Sequence, residues 1–439
     1  MKNSNFGNKK VIQGLSRREF LKVAGGAVAT FPLWFAPAGC GLSNVGRSEA
    51  GTGLTLGYTA GEVTPNEAII WLRATPEAEV SVQYGKDPAL NLYAATSPLR
   101  VSSDSDFALQ VALQNLDAGS IYYYRAAVQG KKPGPIARFV TAPPPDDSAK
   151  VTFSGDTRES YMPFTVMDAV RAQQPDFFLH LGDTIYADRG WVATRLDEFW
   201  SKYQANRGDM VTERCFSETS CYVVWDDHEV EDNYLPGNPL APIGRRAFLD
   251  YWPIRRNTGE PGRIYRSFRW GQAFELFILD TRQYRNLQKG TMLGLEQKDW
   301  LLNRVISSTA LFKFIASPVP MYGGGRDRWD GYPKERTELL KFIAQKKIPG
   351  VVFLSADLHY AGVSRIPGVK GLKEITAGPL AAPLNRITDG TASRFDFFLA
   401  ENFNFAKITV DPTAKPLHAL VEFIDQDNRR FHTTKIPAV

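Results

Sequence analysis

Four aspartates in this sequence stand just beyond short apolar runs. Asp156 follows residues 151–153, Asp183 follows 177–181, Asp227 follows 222–225, and Asp357 follows 351–354 with His359 two residues on. Each run has the length and composition of a buried strand. If such strands lie side by side, four carboxylates and an imidazole converge on one edge. They would repel one another there unless a cation neutralised them. Hard oxygen donors with a single imidazole favour iron, manganese or calcium over a zinc–thiolate site. No Cys-x-x-Cys or Cys-x-x-His spacing offers thiolates instead. Two cations can hold a bridging hydroxide, bind a phosphate, and stabilise both the attacking and the leaving oxygen of a displacement. One strand-end Asp means little, because Asp often caps the following helix. Four together point to a metal centre.

The elements that must position these groups alternate between strand and helix. A helical stretch is expected at about 164–173, and further strands at 274–279 and 312–316. That rhythm is α/β, and ligands of such sheets collect beyond the carboxyl ends of the strands. Residues 50–142 follow another pattern. Segments 68–72, 80–84, 108–113, 121–127 and 137–140 read as short strands separated by turns. An all-β sandwich is expected there, and residues 116–124 resemble the turn that leads into a tyrosine-bearing strand of immunoglobulin- and fibronectin-like domains. A proline-rich linker, 143–149, separates this segment from the second domain, 150–439.

The 439 residues carry a net charge of +5, but the surplus is local. Residues 1–40 hold six Lys/Arg and one Glu, which leaves 46 basic and 46 acidic residues in the rest. A nucleic-acid binder should carry its surplus in the folded part, so that role is not expected. Ser16-Arg17-Arg18-Glu19-Phe20-Leu21-Lys22 resembles a twin-arginine export signal. The apolar stretch 23–35 is too short to span a bilayer, and Ala36-Pro37-Ala38 fits signal cleavage. Residues 1–40 are therefore expected to be a signal segment read by the twin-arginine machinery, with a periplasmic or secreted product. Ala38-Gly39-Cys40 resembles the end of a lipobox, with Pro37 where an aliphatic residue is usual, so a lipid anchor at Cys40 stays a second option. Cys215 and Cys221 could form a disulfide or be two small buried side chains.

Five motifs carry a resemblance. Gly182-Asp183-Thr184-Ile185-Tyr186, Trp225-Asp226-Asp227-His228-Glu229, Leu279-Asp280-Thr281-Arg282-Gln283-Tyr284-Arg285, Trp329-Asp330-Gly331-Tyr332 and Ser355-Ala356-Asp357-Leu358-His359 occur in that order. Together they resemble the alkaline phosphatase D (PhoD-like) family of calcineurin-like metallophosphoesterases. Residues 294–301 look like the helix that usually follows the family's fourth strand. The resemblance implies a four-layer α/β/β/α domain with a dinuclear or larger metal centre. Asp156 would bind the first metal, Asp183 would bridge, and Tyr186 would bind the first metal as a phenolate beside His359. Asp227 and Asp357 would bind the second. His228 would stabilise phosphoryl oxygens or protonate the leaving group. Ferric iron is implied at the first site and calcium at the second. The segment Ser154-Gly155-Asp156-Thr157-Arg158 departs from the best-known branch, which has a cysteine iron ligand nearby. Arg158 stands where many relatives place a metal-binding His. A guanidinium suits phosphate instead, the alternative being a salt bridge to Asp156 or Glu159. Arg282 and Tyr332 are further candidates to line the substrate cleft, with an Arg282–Asp280 ion pair as the other option for Arg282. Asp330 is weighed as a second-metal ligand. His180, inside an apolar strand, reads as a core histidine.

The expected function is hydrolysis of phosphate esters by a metal-activated hydroxide. No Ser or Thr sits in an evident nucleophile motif, which speaks against a covalent phospho-enzyme. A phosphodiesterase acting on phospholipids or teichoic-type polymers is the enzymatic alternative. A binding or adhesion protein with a relic metal site is the alternative of another class. Some family members cover the site with a C-terminal helix. Here 406–410, 417–424 and 430–435 read as strands, so a more open cleft is expected.

Overall fold

The computed structural model describes residues 50–438. The twin-arginine segment and Cys40 lie outside the described residues. The described residues form one compact unit.

The strand Phe177–Leu181 is buried throughout. It can be, because its five residues are nearly all apolar and both faces are covered, as parallel strands require. It pairs in parallel with Ala149–Ser154 on one side and Ser220–Val224 on the other. These three form the centre of a nine-stranded sheet. On one flank the sheet continues antiparallel through Asn404–Val410, His418–Asp425 and Arg430–Pro437. These are the C-terminal strands expected from the sequence, and no helix follows Pro412 among the described residues. On the other flank Thr59–Gly61 pairs in parallel with Ser220–Val224, Gly61 facing Cys221, and Ala68–Arg73 and Ala108–Leu113 extend the sheet.

A second, seven-stranded sheet contains Phe274–Ile278, Phe312–Ala316 and Val351–Ser355 in parallel. The period-2 alternation of strands divides their side chains between two cores. Leu276, Phe314 and Val352 join Phe153 and Phe178 of the first sheet in one cluster. Phe277, Ile315 and Phe353 pack under the helices Gly294–Ser307 and Pro333–Gln345. Helices Val166–Ala172, Leu196–Arg207, Met210–Glu218 and Ala241–Tyr251 contribute to the first cluster.

The N-terminal segment does not stand apart from this body. A third sheet, built on Glu79–Gly85, Ile121–Val128 and Ala137–Val140, packs over Ile70, Leu72, Val111 and Leu113. Trp71, on the same strand as Ile70 and Leu72, points into the main core. The strand Ala68–Arg73 is thus shared between two cores. Tyr122, in the tyrosine-bearing strand, accepts a hydrogen bond from the Asp117 amide at 3.0 Å. Cys215 and Cys221 are free and buried, which settles their alternatives.

Candidate active site

Three of the four strand-end aspartates, and His359 with them, turn sharply out of their strands. Asp156, Asp183, Asp357 and His359 have φ of 70°, 52°, 61° and 54°. Left-handed backbone is uncommon outside glycine and gathers at functional sites, where the surroundings must enforce it. Four instances within one group of side chains mark the site before any chemistry is considered.

The turns bring the carboxylates together. Donor atoms of Asp156, Asp183 and His359 lie within 4.8 Å of one another, as do those of Asp183, Asp227 and His228, and those of Asp226, Asp227 and Asp357. Asp183 and Asp227 each belong to two of these groups, so the clusters form a chain. His359 Nε2 is 3.3 Å from Asp156 and 3.5 Å from the Tyr186 hydroxyl. Its Nδ1 donates to the Pro383 carbonyl at 2.5 Å, which leaves Nε2 directed inward. All six residues expected as metal ligands therefore stand at this edge.

The electrostatics call for a cation. Burial pushes Asp183 well above the usual carboxylate range, reinforced by Asp227, Asp226, Asp156 and Glu229. Burial also raises Asp357. Tyr186 is pushed well above its ordinary value by burial and then by Asp183 and Asp156. Asp156 Oδ2, Asp226 Oδ2 and Asp227 Oδ1 are buried without a hydrogen bond. Orphaned carboxylate oxygens in a protein interior are costly. Oxygen-rich donors with one or two imidazoles fit cations of the harder kind.

Several supporting residues were not assigned a role from sequence. The Glu229 carboxylate is fully buried and accepts from the amides of Asp183, Thr184 and Asp226 at 3.1, 2.5 and 2.8 Å, and from the Thr184 hydroxyl at 2.7 Å. It ties two ligand-bearing turns together. His228 stacks on Tyr186, centroids 4.2 Å apart, and its Nδ1 bonds Asp188 at 2.7 Å. Arg328 makes a two-pronged contact with Asp357, one arm at 2.8 Å. Asp188 and Arg328 lie in loops whose sequence carries no strand-end signal, so only the fold reveals them.

Two assignments to the substrate cleft are corrected. Arg282 is completely buried, with Nε 2.6 Å from Asp226 and Nη1 2.9 Å from Asp327. It is a structural cation beneath the second cluster. Its partners are these two carboxylates and Asp227 at 3.5 Å, while Asp280 accepts only its backbone amide. Tyr332 is likewise buried among Met321, Trp329 and Leu339. Asp330 pairs with Arg336 and accepts from the Gly323 amide, away from the three clusters. Arg158 is half-buried, 5.9 Å over the Tyr186 ring, and has no carboxylate partner among the described residues. Glu159 instead binds Lys202 at 2.7 Å. His180 is a buried histidine whose Nε2 meets Thr157 at 3.2 Å, with burial pulling its pKa down to about 3.

An open cleft of about 610 Å³ adjoins the clusters. Arg328, Asp357 and His359 form one polar end, and Tyr161, Leu384, Ile387 and Phe403 line much of the rest, together with Asn385 and Arg386. That volume is in the range of small-molecule sites.

Comparison with known proteins agrees with this geometry. Residues 151–403 match the family described as PhoD-like phosphatase, and residues 40–143 match its N-terminal domain. Alkaline phosphatase D of Bacillus subtilis (strain 168) is 26% identical over 436 residues, covering 83% of this chain and 73% of the relative. A solved structure titled "Structure of PhoD" superposes with a TM-score of 0.76 at 20% identity, covering 90% of this chain and 94% of the other.

Proposed function

Because the chain belongs to the PhoD-like phosphatase family, we propose that it is an exported, metal-dependent phosphoesterase that cleaves phosphate mono- and diesters without a covalent enzyme intermediate. That it is a phosphoric ester hydrolase follows from the family; metals, substrate range and export are our reading. The supporting observation is the chain of buried carboxylates with unpaired oxygens at the strand ends. We also read the two facing sheets as a four-layer α/β/β/α domain, with residues 50–142 as an immunoglobulin-like addition.

Ferric iron would be held by Asp156, Asp183, Tyr186 and His359, and calcium by Asp227 and Asp357 with Asp183 between them. Bound cations there would offset the carboxylates, draw charge from phosphoryl oxygens and acidify a water. The chain's own residues do the rest. His359 is oriented by Pro383, and His228 by Asp188. Burial opposes protonation of His228, but the Asp188 hydrogen bond and the Asp227 charge outweigh it and raise its pKa. A protonated His228 can donate from Nε2 to a leaving oxygen. Arg158, unpaired at the Tyr186 end, is suited to a phosphoryl oxygen pair.

The apolar wall of the cleft favours the diesterase reading among the enzymatic alternatives, since it leaves room for a second ester group. The test is a panel of para-nitrophenyl phosphate and its bis ester, with elemental analysis of protein purified without chelator. Turnover of both esters with iron and calcium bound is expected. Protein with bound metal and no turnover of either ester would favour a binding role.

Arg17 and Arg18 support export. Their replacement by Lys should strand the protein in the cytoplasm, and unchanged periplasmic yield would refute the leader.

A further inference from the structure

Behind the first cluster lies a small internal cavity with an unusual lining. Thr157, His180, Tyr203, Asn206, Arg207, Phe216 and Trp252 surround it, and the centre of a water-sized body has about 20 Å³ in which to sit. That is enough for one occupant of atomic or water size. Sulfate and phosphate are too large.

Three of its polar groups are donors without partners, and His180 Nδ1 is unpartnered as well. Nη1 of Arg207, Nε1 of Trp252 and the hydroxyl of Tyr203 are all buried and make no hydrogen bond. The residues themselves are 5%, 3% and 0% exposed. Thr184 stands beside Tyr203; its hydroxyl donates to Glu229 and retains lone pairs toward Tyr203, so Arg207 and Trp252 are the two donors with no neighbouring acceptor. Arg and Trp side chains can only donate. His180 adds no charge, because burial holds it neutral.

Arg207 also lacks a contacting counter-ion among the described residues; the Glu213 carboxylate acts on it only from farther off. It forms no ion pair among the described residues, and its Nη2 donates to the Thr59 hydroxyl at 3.0 Å. Its guanidinium lies over the rings of Trp71 and Trp252, at 4.2 and 4.8 Å. Aromatic faces offset part of a buried charge. Burial pulls its pKa down only to about 10, so it stays cationic at neutral pH. Buried charges are normally paired. The other buried arginines, Arg282 and Arg285, do meet carboxylates, Asp226 and Asp327 for the first and Asp327 for the second.

We propose that this cavity is a halide site, holding one chloride ion between Arg207, Trp252 and Tyr203. A monatomic anion matches the volume, accepts from every donor and supplies the missing charge. Water would match the volume but leave Arg207 without a contacting anion. The site also reaches the reaction centre. Asn206, next to Arg207 in the helix Leu196–Arg207, donates through Nδ2 to the carbonyls of Thr157 and Thr184 at 2.8 and 2.9 Å. Those residues directly follow Asp156 and Asp183, so the ion steadies both turns through the helix end.

The test uses metal-loaded protein crystallised without chloride and soaked in sodium bromide. One anomalous bromine peak in the cavity, beside Arg207 Nη1 and Trp252 Nε1, is expected. Ordered water with no anomalous signal there overturns the proposal. In solution, chloride in place of gluconate at equal ionic strength should raise Tm by roughly 1–3 °C and saturate. Tyr203→Phe keeps its ring and Trp252→Phe keeps a smaller aromatic one; both remove a donor, and each should shrink that rise. A full chloride effect in both variants would overturn the site.

Discussion

Asp183, like Asp227, belongs to two of the three clusters, and it alone joins the cluster of Asp156 and His359 to the others. Asp183→Asn removes the shared negative charge while keeping the side chain's size. Activity should fall by at least ~100-fold, with loss of bound metal, while Tm of the metal-free protein holds or rises as repulsion with Asp227 and Asp156 is relieved. Kinetics and elemental analysis on one preparation check this, and near-normal turnover with full metal content would refute a shared site. Tyr186 offers a spectroscopic counterpart. A phenolate on ferric iron absorbs visible light, so Tyr186→Phe should bleach iron-loaded protein whose iron is retained. A colourless native protein containing ferric iron would remove Tyr186 from the ligands. At this scale the sequence was most legible for groups that end strands, since an apolar run stopping at Asp is a local signal. It misjudged Arg282 and Tyr332 for a physical reason. Polar character alone cannot distinguish a cleft-lining side chain from a buried one, and Arg282 is buried because Asp226 and Asp327 wait for it.

Among the elements, the strands that end in the site's aspartates were readable, whereas Arg266–Trp270, Ala361–Arg365, Phe395–Leu399 and the helix Leu196–Arg207 were not; the helix shows why. Its buried residues include Lys202, Asn206 and Arg207, so no apolar stripe marks its inner face. Thr59–Gly61 escaped notice because three residues carry no period. Yet that strand joins the N-terminal segment to the main sheet, and its fit is tight. A Cβ on Gly61 would come within 2.4 Å of Pro253 and 2.6 Å of the Cys221 carbonyl. Gly61→Ala should therefore cost about 2–3 kcal/mol, read by chemical denaturation. A neutral outcome would mean the two strands part without consequence. The strand Lys373–Thr376 carries a different strain. Glu374 is fully buried, and burial pushes its pKa up to about 7 from an ordinary 4.5. The folded state then binds a proton that the unfolded state has lost. Glu374 thus contributes fully below pH 4.5, and that contribution is lost as pH rises to about 7. Glu374→Gln keeps an acceptor for the Met321 amide and does not titrate. The variant should match the parent near pH 4.5 and melt higher at pH 8. Equal Tm differences at both pH values would refute the assignment.

At the scale of the whole molecule, the boundary suggested by the prolines at 143–145 does not divide the packing. Trp71 donates its indole N–H to the Asp250 carbonyl at 2.8 Å, and Gln110 donates to the carbonyls of Leu249 and Trp252, both at 2.8 Å. Arg266 pairs with Glu62 at 2.5 Å. Leu56, Trp71, Ala108 and Ala142 sit in the same core cluster as Phe178 and Tyr222. A composition break in sequence reports where the chain changes style, and it carries no information about which surfaces the two parts later share. A chain beginning at residue 143 would lose these contacts together. It would expose the Ser220–Val224 edge, whose five residues are all buried in the intact protein. An exposed apolar edge strand invites pairing with other chains. The loss would also reach the metal centre, because Ser220–Val224 leads directly into Asp226 and Asp227. We expect the shortened chain to aggregate, and any soluble fraction to bind less metal and melt without a sharp transition. Supplying residues 50–142 as a separate chain during refolding should restore part of both. A soluble, cooperatively melting and metal-loaded protein from residue 143 alone would show that the second domain is self-sufficient and that the shared strands only decorate it.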